Sequence, residues 1–373
     1  MFSLHIDTAR TWRGGQNQVL LTVNGLRAIG ERAALVAHPG GELRRRAAEG
    51  LELIPLAPRT EMDLTAAWRL SRVIRRLAPD VLHAHDPHGV AMAALALSIA
   101  SGARSGGPAL PLIASRRVDF HLKDNSLSRW KHRQVDCFVA ASEAIRQMLV
   151  ADGVPPERTV TVHEGIDVEH VTAAPPVNLH EAFFLPHGAP LVGNVAALVP
   201  HKGQRYLIEA AHLVVQQVPD ARFVILGEGE LRDHLEKQIH EHHLEKHVLL
   251  PGFRTDVLGC IRSFDLFVMS SVTEGLGTSL LDAMAASRPI VATTAGGIPE
   301  IVEDGLNGLL VPPRDAHALA AAIVRALREP QLRDRLGAAG FARVNERFTV
   351  ERMVAATAAT YVKVKSEKLE EKS

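Results

Sequence analysis

Several features that would mark a specialised class of protein are scarce in this chain of 373 residues. It has two cysteines, Cys137 and Cys260, both in apolar surroundings, so we expect buried thiols in a reducing compartment and no disulfide framework. The 42 basic residues equal the 42 acidic ones, which disfavours a nucleic-acid-binding protein. The longest apolar run, 90–100, is too short to span a bilayer, and no signal peptide is evident. The sequence therefore predicts a cytoplasmic protein, or one peripheral on the cytoplasmic face of the inner membrane.

Strand and helix patterns alternate along most of the chain. Short apolar runs such as 2–6 and 266–269 predict buried strands, and helical spacing of apolar residues over 64–77 predicts a helix. This alternation predicts an α/β fold with doubly wound parallel sheets. A proline-rich stretch interrupts it, and two domains are expected at this length. The predicted divisions are residues 1–175, a linker over 176–190, a second domain over 191–348, and a last helix with a frayed tail over 349–373.

The segment 270–300 has the pattern of an anion site. A predicted strand is followed by Glu274, Gly275 and Gly277, and then by a helical pattern that starts at Thr278. A glycine loop and a helix start bring free backbone N–H groups and the positive end of a helix dipole together. The acids Glu274 and Asp282 would repel a phosphate, so we interpret them as acceptors for sugar and ribose hydroxyls. An ordinary strand–loop–helix turn is the alternative.

Other strand ends carry further candidates. Lys202 precedes Gly203 and a predicted helix, which favours phosphate binding over the alternative of a surface lysine. Gly14 and Gly15 lie between the first strand and the first helix, where ligands commonly meet backbone. The run HAHDPH, residues 83–88, ends another strand. It could hold a metal, although its position suits an acceptor-binding loop better.

The stretch EGLGTSLLDAMAASRPIVAT resembles the signature of the retaining glycosyltransferases of family 4, which have the GT-B fold, and the match continues through GGIPEIVEDGLNGLLVPPRD. Further blocks resemble that family at the corresponding places: WRGGQNQV, DVLHAHDPHG, the segment around Lys202, LGEGE and PGFRTDV. The resemblance implies two Rossmann-like domains facing across a cleft. It also implies transfer of a sugar from a nucleotide-sugar donor to an acceptor, with retention of anomeric configuration.

The resemblance also assigns residues and partners. Lys202 and Glu274 would be catalytic, and both would contact the donor. The other donor-binding residues would be Gly15, Gly229, Arg254, Gly275, Leu276, Gly277, Thr278 and Asp282. The acceptor side would hold Gly14, His85, Asp86, Arg116 and Arg117. No metal or other cofactor would be required, because Lys202 and the helix start supply positive charge. The acceptor would be a saccharide or lipid-linked molecule of the lipopolysaccharide, glycolipid or envelope-polysaccharide type, with no nucleic-acid partner.

Five positions depart from the family pattern. Asp282 replaces a glutamate, Ala197 an arginine and Glu164 an asparagine, while Arg116 and Arg117 stand where many relatives have a histidine. The cation missing at Ala197 would have to come from another residue: Arg13, Arg116, Arg117 or Arg254. Three alternatives therefore stay open, namely a nucleotide-sugar 2-epimerase, a non-catalytic nucleotide-sugar-binding partner subunit and a purely structural α/β protein.

Arginines recur along the helical pattern of 64–77 and at 44–46. A basic helix of this kind can contact anionic lipid, which would make the protein peripheral on a membrane. A solvated charged face is the alternative.

Overall fold

The computed structural model describes residues 1–47, 49–102 and 110–370, and for 101 and 102 only the backbone. The chain divides into two compact units. The first comprises residues 1–165 together with the last helix, and the second comprises residues 166–349. None of the helices in the described ranges is both long and apolar enough to cross a membrane.

Strands and helices alternate through the first unit, as the sequence predicts. In chain order they are β1 (Phe2–Asp7), α1 (Gly14–Ala28), β2 (Arg32–Ala37), α2 (Glu42–Arg46), β3 (Glu52–Pro55), α3 (Leu64–Leu77), β4 (Val81–Ala84), α4 (Pro87–Gly102), β5 (Leu112–Arg116), α5 (Ser126–Arg133), β6 (Cys137–Ala140), α6 (Glu143–Ala151) and β7 (Thr159–Thr161). The strands form one parallel sheet in the order β3-β2-β1-β4-β5-β6-β7. The order reverses between β1 and β4, where sheets of this type bind ligands.

The second unit repeats this plan over residues 166–349. Its elements are α7 (Val168–Ala173), α8 (Leu179–Ala182), β8 (Leu191–Val195), α9 (Gln204–Val215), β9 (Arg222–Leu226), α10 (Arg232–Glu241), β10 (Val248–Gly252), α11 (Val257–Ile261), β11 (Leu266–Met269), α12 (Thr278–Ala285), β12 (Ile290–Thr293), α13 (Ile298–Ile301), β13 (Leu309–Val311), α14 (Ala316–Arg328) and α15 (Pro330–Arg347). The parallel sheet has the order β10-β9-β8-β11-β12-β13. Its reversal lies between β8 and β11, so the loops that follow these two strands meet at one edge.

The predicted linker differs from what the structure shows. Ile166, Val171, Leu179 and Leu185 are buried in the core of the second unit. The backbone N–H of Ile166 donates to the carbonyl of Phe348 over 2.8 Å. The division therefore falls between 165 and 166, about ten residues before the predicted end of the first domain. Residues 176–190 are anchored to the second unit, because Leu179 and Leu185 enter its core.

The last helix, α16 (Val350–Glu370), belongs to the first unit. Val354 and Tyr361 are buried there. Gly25 on α1 packs against Val354, and a Cβ at position 25 would overlap the Val354 side chain. Near the end of α16, Lys365 Nζ lies 2.6 Å from Asp80 Oδ1. Where the sequence predicts a frayed tail, the structure continues the helix to Glu370, and Lys365 and Lys368 there pair with carboxylates. Residues 371–373 lie outside the described ranges.

Candidate functional site

In the second unit, the loops after β8 and β11 bring Lys202 and Glu274 together. Lys202 Nζ lies 2.6 Å from Glu274 Oε2, although 72 positions separate the residues. The N–H of Val272 donates to the carbonyl of His201 over 2.8 Å, which ties the loops to each other. Gly203 has a φ of 66°, and a Cβ there would overlap the carbonyl of Ser270. Only glycine fits this position, so the residue beside Lys202 is dictated by the close approach of the loops.

Glu274 is held firmly in place. It is 7% exposed, and the hydroxyl of Ser271 donates to its Oε2 over 3.0 Å. The N–H of Gly297 donates to its carbonyl over 3.1 Å. Gly296 has a φ of 52°, and a side chain there would overlap that same carbonyl. The second glycine pair of the sequence therefore supports the backbone beneath Glu274, and a rigid carboxylate–ammonium pair results.

The start of α12 provides unused hydrogen-bond donors. Gly277 precedes the helix with a φ of 96°. Among the described residues, the amides of Gly277, Thr278 and Ser279 donate to no acceptor. Gly275 and Leu276 are both buried, and the side chain of Leu276 lies in the core, so these two can offer a ligand only their backbone. The predicted anion-binding geometry is present beside Glu274.

Asp282 lies farther along α12 and is half-buried. Burial raises the pKa of its carboxyl group to about 7. Its carboxyl group has no hydrogen-bond partner among the described residues. An unpaired acid with this pKa can accept a hydrogen bond from a hydroxyl when ionised, and can donate one when protonated.

Two of the predicted donor-binding residues are already engaged. Gly229 packs against the carbonyl of Leu198, where a Cβ would overlap it, so this glycine supports the loop that carries Ala197. Arg254 pairs with Asp256 at 2.7 Å between Nε and Oδ1 and lies 5.5 Å from the centre of the Phe183 ring. Arg254 is thus committed to its own loop and is a poor substitute for the arginine missing at Ala197.

In the first unit, the predicted acceptor-side residues lie on loops at the carboxyl ends of the strands. Gly14 and Gly15 are the first residues of α1. Asp86 accepts from the amides of Thr8, His88 and Gly89, with the first at 2.6 Å, so its oxygens secure the loop after β1 and the start of α4. This engagement leaves Asp86 little capacity for a ligand. Arg116 donates to the carbonyl of Phe120, and its buried Nε has no partner within the described residues.

Arg117 connects three of these loops. Its Nε lies 3.0 Å from Glu164 Oε1, and its Nη1 lies 3.1 Å from His85 Nδ1. Its Cδ would be 3.8 Å from a Cβ at Gly15. Arg117 and Glu164 both depart from the family pattern, and the structure shows that they are partners. The sequence indicated each departure but not their pairing.

Three buried histidines form a cluster that meets this arginine through His85. One ring nitrogen from each of the three, His5, His83 and His85, lies within 4.8 Å of the other two. All six nitrogens already have partners: Ser3 and His85 for His5, Tyr361 and Ser115 for His83, and His5 and Arg117 for His85. Burial lowers the pKa of His5 to about 3 and holds the pKa values of His83 and His85 well below the usual one. The cluster is therefore a network of neutral rings, and its hydrogen bonds leave no ring nitrogen spare for a metal.

Comparisons with known proteins identify the family of the chain. The model of the family described as "Glycosyl transferases group 1" matches residues 178–343, and that of "Glycosyltransferase Family 4" matches residues 12–170. EpsD of Bacillus subtilis (strain 168), named as a glycosyltransferase, is 30% identical over 316 residues, which are 80% of this chain and 81% of EpsD. The phosphatidyl-myo-inositol mannosyltransferase of Mycobacterium leprae (strain TN) is 26% identical over 348 residues, 88% of this chain and 87% of that protein.

Solved structures share the fold. Anabaena Alr3699/HepE in complex with UDP matches with a TM-score of 0.82 and 21% identity, covering 97% of this chain and 100% of that one. A glycosyltransferase from Rickettsia africae ESF-5 matches with a TM-score of 0.84 and 16% identity, covering 97% and 98%. Two Rossmann-like units with parallel sheets are the GT-B architecture. The chain therefore belongs to the group 1 glycosyltransferases and has the GT-B fold.

Proposed function

We propose that this protein transfers a sugar from a nucleotide-sugar donor to an acceptor with retention of anomeric configuration. The observation that carries the proposal is the Lys202–Glu274 pair at 2.6 Å, placed where the strand order reverses and next to the unused amides at the start of α12. A cation and free amides suit a diphosphate, while an adjacent carboxylate suits sugar hydroxyls. A binding site for one of these groups alone would not need both.

In the proposed reaction the protein stabilises charge and takes no covalent part. The bond between the anomeric carbon and the donor phosphate breaks, and the acceptor oxygen bonds to that carbon on the same face. The leaving phosphate accepts the acceptor's proton. Lys202 and the α12 amides stabilise the negative charge that develops on this phosphate, a contribution that is large in a preorganised site. Glu274 orients the sugar and Asp282 the ribose. No metal is needed in this scheme, because Lys202 and the α12 amides supply the positive charge.

The acceptor is proposed to be a saccharide or lipid-linked molecule of the cell envelope. The name of the Mycobacterium leprae relative supports a lipid-linked one, since that protein acts on a phosphatidyl-inositol. Arg117 provides a cation that could bind an anionic group of such a substrate. We propose a cytoplasmic protein that associates peripherally with the inner membrane.

The first test is a thermal-shift screen of UDP-, GDP- and ADP-sugars with the wild-type protein, followed by product analysis. One nucleotide series is expected to stabilise the protein by about 2.7 kcal/mol at a hundred times its dissociation constant. With the stabilising donor, glycosylated product is expected only when a mixture of envelope-type acceptors is present, and its anomeric configuration should equal that of the donor.

The product analysis also separates the alternatives. Free nucleotide and an altered sugar without acceptor would indicate a 2-epimerase. Stabilisation without turnover in any acceptor mixture would indicate a non-catalytic partner subunit. Stabilisation by no nucleotide sugar even at millimolar concentration would contradict the donor site itself.

Membrane association is proposed to involve α3. Its inward face buries Ala67, Leu70 and Ile74, whereas Trp68 on the outward face is 47% exposed. The same outward face carries arginines that pair with no carboxylate among the described residues: Arg69, Arg72, Arg75 and Arg76. Met62, two residues before the helix, and Leu64 at its start are also exposed. Unpaired arginines around an exposed tryptophan suit an anionic lipid surface.

Vesicle flotation is expected to show this binding. The wild-type protein should float with phosphatidylglycerol vesicles at low salt, bind them less at 0.5 M salt, and ignore pure phosphatidylcholine vesicles. Changing Arg69, Arg72 and Arg76 to alanine removes three positive charges, each worth about 1 kcal/mol near an anionic surface, and should abolish flotation.

The control removes the same charge elsewhere. Arg205, Lys237 and Arg325 form exposed helical ion pairs in the second unit, and their triple alanine variant should float like wild type. Equal loss of binding in both triple variants would mean that net charge, and not α3, decides the association.

A further inference from the structure

Arg117 uses only part of its hydrogen-bonding capacity. Its Nε contacts Glu164 at 3.0 Å and its Nη1 contacts His85 at 3.1 Å. Within the described part of the chain, Nη2 has no acceptor. The arginine side chain is 16% exposed, so it is largely enclosed, yet one edge of the guanidinium group is uncommitted.

The arginine determines where the protons of the neighbouring histidines lie. A guanidinium group can only donate, so Nδ1 of His85 must accept. A neutral His85 then carries its proton on Nε2 and donates to Nδ1 of His5 over 2.9 Å. His5 in turn carries its proton on Nε2 and donates to the hydroxyl of Ser3 over 3.0 Å. Every donor in this series of hydrogen bonds, from Arg117 to Ser3, points the same way.

An added proton would interrupt this series of hydrogen bonds. If His85 or His5 gained one, an N–H group would face another N–H group or the guanidinium group. Burial of both rings opposes protonation, and so does the charge of Arg117, since these effects lower the pKa values of His5 and His85. The other groups beside these two rings are His83, Tyr361 and Ser3, which are neutral. Among the acids, Glu164 pairs with Arg117, and Asp7 interacts with the charge of Arg117. The hydroxyl of Ser3 can end the series of hydrogen bonds because it can accept one from His5.

A neutral acceptor next to Arg117 has a chemical advantage. Glu164 already balances the charge of the guanidinium group. A second carboxylate in the place of His85 would make the group negative overall and would repel an anion. A neutral ring holds the guanidinium group in position without removing its attraction for an anion.

We propose that Ser3, His5 and His85 form a one-directional hydrogen-bond relay that orients Arg117, so that its free Nη2 edge binds a phosphate or carboxylate group of a substrate. His5 and His85 are positioning residues in this scheme, and Arg117 is the group that touches the substrate. The proposed binding of a substrate group by Arg117 rests on the proposed glycosyl transfer. The relay is a property of the first unit and can be tested without turnover.

The relay itself is tested by long-range ¹H–¹⁵N correlation spectra of the histidine rings. The spectra of His5→Asn and His85→Asn identify the two rings by the signals that they lose. Both are expected to be neutral and protonated on Nε2 between pH 6 and 8. A proton on Nδ1 of either ring, or a charged ring at pH 6, would overturn the relay.

Two substitutions of His85 then separate positioning from packing. The Oδ1 of asparagine falls near the place of Nδ1, so His85→Asn keeps the acceptor for Arg117 and loses the contact with His5. Glutamine reaches the place of Nε2, so His85→Gln keeps the contact with His5 and loses the acceptor. We expect His85→Gln to raise the KM of the anionic substrate about tenfold with little change in kcat, and His85→Asn to raise it less, by the share that the contact with His5 contributes.

Separate KM values for donor and acceptor show which substrate carries the anionic group. His234 is an exposed residue of the second unit, and His234→Asn should behave like wild type. Equal losses in both His85 variants, or losses in kcat alone, would overturn the positioning role.

A binding measurement covers the case in which no turnover is found. Inorganic phosphate at millimolar concentration is expected to shift the ring signals of His85 in the wild type and not in Arg117→Gln. Unchanged signals in the wild type would refute anion binding at Arg117, whereas absent turnover with shifted signals would refute only the glycosyl transfer.

Discussion

Replacing Lys202 with alanine is expected to lower kcat/KM by about 10²–10³-fold, because one preorganised charge contact to the leaving group is worth roughly 3–4 kcal/mol. Lys202 is the only cation that the structure places against Glu274 among the described residues, at 2.6 Å. The second unit has no arginine at Ala197, and Arg254 is held by Asp256. The loss should therefore find no local compensation. Steady-state kinetics and the donor-induced thermal shift measure it.

Glu274→Gln completes this experiment as a double-mutant cycle with Lys202→Ala. Glutamine keeps the shape and one acceptor oxygen, yet loses the charge that pairs with Lys202. The two effects are expected to be far from additive, since the side chains share one hydrogen bond and one substrate. Lys237→Ala is the matched control, because Lys237 forms an exposed ion pair on α10. Loss of less than about threefold in Lys202→Ala would contradict the phosphate role, since charged contacts are worth more than this.

Acid is expected to destabilise the first unit steeply below about pH 6.5, the usual pKa of histidine. His5, His83 and His85 have pKa values lowered by burial in the folded state, so the unfolded chain binds more protons in this range. Each such histidine lowers the free energy of unfolding by about 1.4 kcal/mol per pH unit as the pH falls from its pKa in the unfolded chain towards its pKa in the folded one. Three together would remove about 4 kcal/mol per unit if they acted independently.

Protonation of Asp7 has the opposite effect on the stability of the first unit below pH 6. Burial, followed by the charge of Asp86, raises the pKa of Asp7 to about 6, so the folded state takes up this proton before the unfolded chain does. This gain offsets about one histidine, but His132 of the same unit adds another, since burial lowers its pKa to about 4, and the net slope is therefore about 4 kcal/mol per pH unit between pH 6 and 5. The stability of the first unit should hence be greatest above pH 7.

Tryptophan fluorescence can report this loss for the first unit alone. The three tryptophans, Trp12, Trp68 and Trp130, all belong to that unit. Urea midpoints from tryptophan fluorescence are expected to fall sharply between pH 7.5 and 5.5. The variant His5→Asn, which carries one fewer depressed histidine, should reduce the slope by about 1.4 kcal/mol per unit. A midpoint that stays constant over this range would mean that the three rings are not buried and neutral together.

Local patterns in the sequence predicted much of the geometry of the proposed donor site. The apolar run before Glu274, the glycine loop and the start of α12 are neighbours in the chain, so their arrangement follows from strand, loop and helix propensities over about thirty residues. Lys202 and Gly203 were recognisable for the same reason. The helix bounds of 64–77 were also predicted correctly, because Asp63 caps its start and the apolar spacing is regular.

Availability of a side chain could not be predicted in this way. Arg254 and Asp86 have residue types that suit a ligand, yet Asp256 holds the former, and the amides around α4 and Thr8 hold the latter. Whether a polar group is free depends on every neighbour that folding brings within 3 Å, and motif spacing carries no information about neighbours from other elements.

The sequence by itself thus determined the fold class, the family and the local geometry of the loop between β11 and α12, since these depend on periodicity and on residues adjacent in the chain. Only the tertiary structure decided the strand order, the pairing of Lys202 with Glu274, and the network around Arg117. In that network His5 meets His85 across 80 positions and His83 meets Tyr361 across 278. Such contacts form because a parallel sheet gathers the ends of distant strands at one edge, and burial then forces each polar group there to find a partner.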